Sequence, residues 1–202
     1  MYREQYKKYV QLIEKRLSPK RFLHSMNVAK ECVKLAEKYG GDKEKAYLAG
    51  VLHDIMKEES PEMQLQTIAQ SDIIVDTVTE NAPPLWHAKA GAAYCKHVLN
   101  IKDEEIVNAI SYHTTARADM SQLEKILYLA DYIGEERDYP DVDTMRKETW
   151  SSMERGMAYA LEYSICDLVN RKKAIHIDTV NAYNQLVLQK KGKGETCDYQ
   201  TK

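Results

Sequence analysis

The chain has few helix breakers. Only five prolines and eight glycines occur among its 202 residues. With many Ala, Leu, Glu and Lys, that scarcity favours helix throughout. Strand-type alternation long enough to build a sheet is lacking, as are internal repeats and low-complexity domains, so an all-α fold is the expected class. Charge of one sign is not in excess: 29 basic residues stand against 31 acidic ones, a net of −2. A surface for a nucleic acid polymer needs a basic surplus, so no such partner is expected. A small anionic ligand needs only a local group of cations and remains allowed. No apolar run approaches bilayer length, so no membrane partner is expected either. The segment Met1-Tyr2-Arg3-Glu4-Gln5 lacks the apolar stretch of a signal peptide. Cys32, Cys95, Cys166 and Cys197 show no C-x-x-C spacing and read as reduced thiols of a cytoplasmic protein, the first three packed in helices. An apolar content of 44% suffices for a full core, and the length fits one domain.

Helical periodicity organises what is there. Residues 2–17 are expected to form a first helix. Ser18-Pro19 reads as an N-cap with Pro at the first helical position, and Gly40-Gly41 ends the helix that follows. Asp42 caps a third helix leading to His53, and Ser60-Pro61 starts a fourth. Residues 71–84 are ambiguous, because Ile73-Ile74-Val75 is β-branched and Pro83-Pro84 forces irregular backbone. Further helices are expected over 86–99, 103–115, 121–134, 144–169 and 178–190, with Ser121 and Glu124 at capping-box spacing. Residues 1–189 read as one helical domain. The polar segment 190–202 reads as a disordered tail.

The pair His53-Asp54 lies inside the apolar run from Ala49 to Met56. A buried imidazole beside a buried carboxylate is costly unless both find partners, and a divalent metal satisfies both. Further ligand-type residues fall on interior faces of other helices: His24 beside the stripe of Val28 and Leu35, His113 after Ile106 and Ile110, and Asp131 one turn after Leu127. His87 follows Pro83-Pro84-Leu85-Trp86 at the start of a helix. Any one interior histidine is more readily explained as a hydrogen-bonded core residue. Their joint occurrence with Asp54 and Asp131 points to a metal, because a buried Asp needs a cation. His97, beside Lys96, reads as surface, and His176 as a loop residue. Arg21, Lys57 and Arg137 lie close in sequence to candidate ligands and are candidate phosphate contacts.

In this order, His24, His53-Asp54 and Asp131 resemble the motif of the HD-domain superfamily of metal-dependent phosphohydrolases. More narrowly, Arg21-Phe22-Leu23-His24-Ser25, Leu52-His53-Asp54-Ile55-Met56-Lys57, Leu85-Trp86-His87-Ala88, Ile110-Ser111-Tyr112-His113-Thr114-Thr115 and Leu129-Ala130-Asp131-Tyr132-Ile133 are similar to the YqeK-type family of symmetrical diadenosine tetraphosphate hydrolases. The resemblance runs from about Tyr2 to Leu188. It implies a single HD-domain helical bundle and one iron ion held by His24, His53, Asp54 and Asp131. Nitrogen and oxygen ligands alone would equally suit manganese, cobalt or zinc. The resemblance places His87 and His113 on the substrate; spacing alone leaves a second ion on these two open. Catalytic roles are expected for Asp54, His87, His113 and Asp131, and substrate binding for Arg21, Lys57, His87, His113, Thr114 and Arg137. The expected partner is a dinucleoside polyphosphate or purine nucleotide, with homodimer formation left open.

Three alternatives remain at this stage. Another HD phosphohydrolase would act on a nucleoside 5′-monophosphate or on guanosine tetraphosphate. Lys57 before Glu58-Glu59 counts against the latter, whose enzymes carry acidic residues after His-Asp. A cyclic dinucleotide phosphodiesterase is disfavoured by the lack of Gly-Tyr-Pro. A non-catalytic nucleotide-binding module is disfavoured because all six metal-type positions are intact.

Overall fold

The computed structural model describes residues 5–192, with side chains to residue 189. It is all-α, with no strand among the described residues. The helices are α1 (Lys7–Arg16), α2 (Pro19–Tyr39), α3 (Lys43–Leu52), α4 (Pro61–Ala69), α5 (Thr77–Asn81), α6 (Pro83–Ala93), α7 (Glu104–Tyr112), α8 (Gln122–Ile133), α9 (Val142–Ser151), α10 (Met153–Asn170) and α11 (Ile177–Gly192). Their starts follow side-chain chemistry. Ser18 accepts from Arg21 N, Asp42 from Glu44 N and Lys45 N, and Ser60 from Met63 N, while Ser121 and Glu124 close a reciprocal capping box. Gly40 ends α2 at φ +82°, the left-handed conformation that glycine adopts without penalty.

α3 is buried from Ala46 to Leu52 and forms the centre of the bundle, packed by α1, α2, α7 and α8. A helix apolar on all sides belongs in the interior. α2 packs closely on α3 because Gly50 lacks a side chain: a Cβ there would lie 2.6 Å from Ala29 Cα. α8 lies across α2, α3 and α7, and α6 pairs with α7. Five chain segments therefore end or cross beside the C-terminus of α3, where His53-Asp54 sits. Fully buried Leu52, Ile55, Ile110 and Leu127 flank the polar positions in sequence. Each such side chain contributes about 1.5–3 kcal/mol, which offsets the cost of holding histidines and carboxylates in the interior.

Several expectations are corrected. The helix read over 144–169 is two, α9 and α10, broken at Ser152, whose extended backbone (φ −153°, ψ 153°) caps α10. The helix expected over 86–99 starts at Pro83 and widens into a π-turn over Tyr94–Val98. The ambiguous 71–84 stretch contains the short α5, capped by Asp76. Cys32 and Cys95 are buried, but Cys166 is exposed rather than packed. α11 continues to Gly192, and the remainder of the expected tail, with Cys197, lies outside the described residues. Among the described residues, no helix is long and apolar enough to cross a membrane.

Candidate metal centre

The structure brings His24 (α2), His53 and Asp54 (after α3), His87 (α6), His113 (after α7) and Asp131 (α8) into one cluster. All four histidines and Asp54 are buried. His24 Nε2 lies 3.3 Å from His53 Nε2 and 3.1 Å from Asp131 Oδ1. His87 Nε2 lies 3.2 Å from His113 Nε2. Asp54 stands between the two pairs. Its Oδ2 is 3.6 Å from His24 Nε2 and 3.5 Å from His53 Nε2, and its Oδ1 is 3.2 Å from His87 Nε2 and 3.6 Å from His113 Nε2.

The outer ring nitrogens fix the tautomers. His53 Nδ1 donates to Gly50 O at 2.7 Å, and His113 Nδ1 to Ile110 O at 2.7 Å. Carbonyl oxygens only accept, so these nitrogens carry the hydrogens and each Nε2 turns a lone pair inward. His24 Nδ1 donates to Glu136 Oε1 at 2.5 Å, and Asn27 Nδ2 holds Glu136 Oε2 at 2.7 Å. Inward lone pairs facing each other across 3.3 Å need a proton or a metal ion between them. The donor set thus fits a metal ion, and two groups have the required closeness: His24, His53 and Asp131, and His53, Asp54 and His113. Nitrogen donors outnumber oxygens, and no thiolate takes part.

The electrostatics agree with a place for a cation. Burial pushes His24 down, but hydrogen bonds to Asp131 and Glu136 outweigh it and its pKa ends above the usual histidine value. Burial lowers His53, and brings His87 to about 4. Burial would raise Asp54, yet His53, His113 and His87 hold its carboxyl well below the usual range. At Asp131, burial is likewise overcome by Arg137, His24 and His53. Glu136 falls to about 2 because its bonds to His24 and Asn27 exceed the effect of burial.

The expected cations converge on the same cluster. Arg21 Nη1 donates to Asp54 Oδ2 at 2.8 Å. Arg137 bonds the Asp131 side chain and donates to its carbonyl at 2.6 Å. Lys57 Nζ lies 3.2 Å from His87 Nε2, and burial lowers its pKa. The Arg21 and Arg137 side chains are 30% and 33% exposed, against 4% for Asp54, so an anion arriving from solvent meets guanidinium first. Thr114 follows His113, and its buried Oγ1 has no hydrogen-bond partner among the described residues.

A family model described as the HD domain matches residues 21–135. The chain belongs to the HD domain family. Its matched span contains all six clustered residues. The narrower YqeK-type likeness is also borne out. The chain is 34% identical to a protein named symmetrical bis(5′-nucleosyl)-tetraphosphatase from Halalkalibacterium halodurans, over 91% of this chain and 98% of that one. It is 33% identical to a protein of the same name from Bacillus subtilis, over 87% and 94%. A solved Clostridium acetobutylicum structure, described as a predicted HD superfamily hydrolase involved in NAD metabolism, superposes with a TM-score of 0.87 at 33% identity, covering 91% of this chain and 97% of that chain.

Sequence reasoning missed three features of this HD site. Glu136 supports His24, and only its place next to Arg137 hinted at it. Glu58 and Glu59 face away from the cluster: Glu58 accepts from Ser18 N and Ser18 Oγ, tying the start of α2 to the His-Asp turn, and Glu59 pairs with Arg16. His176 lies in the connection before α11, as expected, but it is 4% exposed and bonded to Asp76. His97 is on the surface, as expected, beside Asp72.

Carboxylates that orient a ligating histidine are worth roughly 10–100-fold in metal affinity. Glu136→Ala is therefore expected to weaken metal retention by about that factor while the fold persists. Competition with a chelator measures it, and unchanged affinity would show that Glu136 does not support the ligand set.

Proposed function

We propose that this chain is a metal-dependent hydrolase that cleaves dinucleoside tetraphosphates, diadenosine tetraphosphate first among them, into two nucleoside diphosphates. The observation that carries the reading is the position of Asp54 between two histidine pairs, with Arg21, Lys57 and Arg137 around the same cluster. The names of the Halalkalibacterium halodurans and Bacillus subtilis relatives supply the substrate class.

His24, His53, Asp54 and Asp131 would hold the ion. Iron is the ion the family likeness favours; manganese, cobalt and zinc share its donor preferences. When bound, such an ion lowers the pKa of a coordinated water from ~15.7 toward ~7 and offsets charge on the attacked phosphoryl group. Asp54 and Asp131 are ionised, and one of them would accept the proton of the attacking water while the other orients it. Arg21 and Arg137 orient these two carboxylates and offer their exposed edges to phosphate oxygens. Lys57, His87, His113 and the unpartnered Thr114 Oγ1 contact the polyphosphate on the other half of the cluster. Three cations exceed what a mononucleotide needs, and suit a tetraphosphate that releases a diphosphate.

One observation favours a second reading of the metal content. Asp54 presents Oδ2 to His24 and His53 and Oδ1 to His87 and His113. On this reading His87 and His113 would hold a second ion, with Asp54 available to both halves of the cluster. Metal per chain decides between one and two.

The substrate reading is tested by comparing specificity constants for diadenosine tetraphosphate, adenosine monophosphate and guanosine tetraphosphate with the same metal. The tetraphosphate of adenosine is expected to lead. Lys57→Ala should lower its rate about tenfold or more, equal to ~1.4 kcal/mol or more of barrier, and affect monophosphate hydrolysis less. Preference for the monophosphate would leave only the superfamily chemistry.

A further inference from the structure

The start of α11, with His176 just before it, lies outside the metal-type cluster, yet it carries buried polar side chains that reach two other parts of the chain. Thr179, 4% exposed, donates its hydroxyl to Thr115 O at 2.7 Å. Thr115 lies in the turn that follows His113. That turn ends at Ala116, which is fully buried and left-handed at φ +56°. A non-glycine residue in this conformation is strained and persists only where its surroundings hold it. The Thr179 bond is such a hold, and Ala116 N, bonded to Tyr112 O at 2.8 Å, is another.

His176 faces the opposite way. Asp178 N donates to His176 Nδ1 at 3.1 Å, so the ring hydrogen sits on Nε2. Nε2 donates to Asp76 Oδ2 at 2.5 Å and lies 3.1 Å from Thr79 Oγ1. Asp76 caps α5 through Val78 N and Thr79 N. Thr79 O in turn accepts from Trp86 Nε1 at 2.6 Å, and Trp86 precedes His87 on α6. The start of α11, with His176 just before it, therefore ties the segment entering His87 to the segment leaving His113.

We propose that His176 and Thr179 are positioning residues that set the spacing of His87 and His113. The inference rests on the proposal that these two histidines act on the substrate half of the site. Neither His176 nor Thr179 touches the six clustered residues. They act through Asp76, Thr79 and Trp86 on one side and through Thr115 on the other. The contacts of His24 and Asp131 do not pass through this turn, whereas His53 packs edge-on against His113 at 5.1 Å between ring centroids, so His24 is the reference on the other half of the cluster.

Thr179→Val removes the donor at nearly constant volume, and Thr179→Ser keeps it. In the full-length, metal-loaded protein, Thr179→Val is expected to lower kcat on diadenosine tetraphosphate about tenfold or more, with KM within about twofold, and Thr179→Ser to stay within about threefold of wild type. Histidine-selective ¹⁵N NMR of the metal-free protein gives a readout that needs no substrate. The ring signals of His87 and His113 should move in Thr179→Val, and that of His24, which does not touch His113, should not. If Thr179→Val does not fold, Asp76→Asn, at the half-exposed outer end, weakens the tie on the His87 side and should move the His87 ring signal with that of His24 unmoved. A wild-type rate with unmoved His87 and His113 signals, or a Ser variant as slow as the Val variant, would overturn the proposal. Selective shifts in a protein that does not cleave the tetraphosphate would keep the positioning role and remove the substrate reading.

Discussion

Asp54→Ala should abolish turnover and strip bound metal. Asp54 is 2% exposed, and its two oxygens are the only carboxylate oxygens among the described contacts that reach both histidine pairs. Its carboxyl stays ionised in the interior because His53, His113 and His87 outweigh burial. Removing it takes the shared negative charge from four imidazoles and leaves Arg21 without its acceptor. If Asp54 is a ligand as proposed, the variant loses an anionic ligand from an interior site and, with it, the ion. The expected loss in rate is at least about 10⁴-fold, or roughly 5 kcal/mol of barrier. Elemental analysis beside a rate assay measures both effects. Full metal content in the variant would remove Asp54 from the ligand set.

His113→Ala should cost about 10²–10³-fold in rate, in the range of lost acid–base or charge-stabilising groups. His113 is 2% exposed, with its Nδ1 held by Ile110 O and its Nε2 turned toward His87 and Asp54. With a single ion on His24, His53, Asp54 and Asp131, metal content stays at the wild-type level. With a second ion on the His87–His113 half, stoichiometry falls from two to one. His87→Ala should follow the same course, because Lys57 and Asp54 meet its ring. A rate within about threefold of wild type, with metal intact, would remove these histidines from the chemistry.

The site was legible in the sequence because its residues are interior anomalies. Histidines and carboxylates in apolar runs need partners, and their helical phase told which way they face. Arg21, Lys57 and Arg137 followed from closeness to ligands, and all three arrive at the cluster. The helix starts were legible where a side chain caps them, as at Ser18, Asp42, Ser60 and Ser121. What was missed depends on contacts between distant segments. Ser152 is an N-cap-type residue, but helical period continues through it and no proline or glycine marks the break. Glu136 and His176 look like ordinary polar residues until the fold places His24 beside one and Asp76 beside the other. Glu58 and Glu59 read as acidic neighbours of His53-Asp54, but Ser18 and Arg16 draw them away from it.

The central claim is a metal-dependent hydrolase that splits a dinucleoside tetraphosphate in the middle. The measurement that tests it most directly is the product ratio from diadenosine tetraphosphate with iron(II) present, resolved by anion-exchange chromatography. The account predicts adenosine diphosphate alone, two per substrate consumed. Equal amounts of adenosine monophosphate and adenosine triphosphate would contradict it.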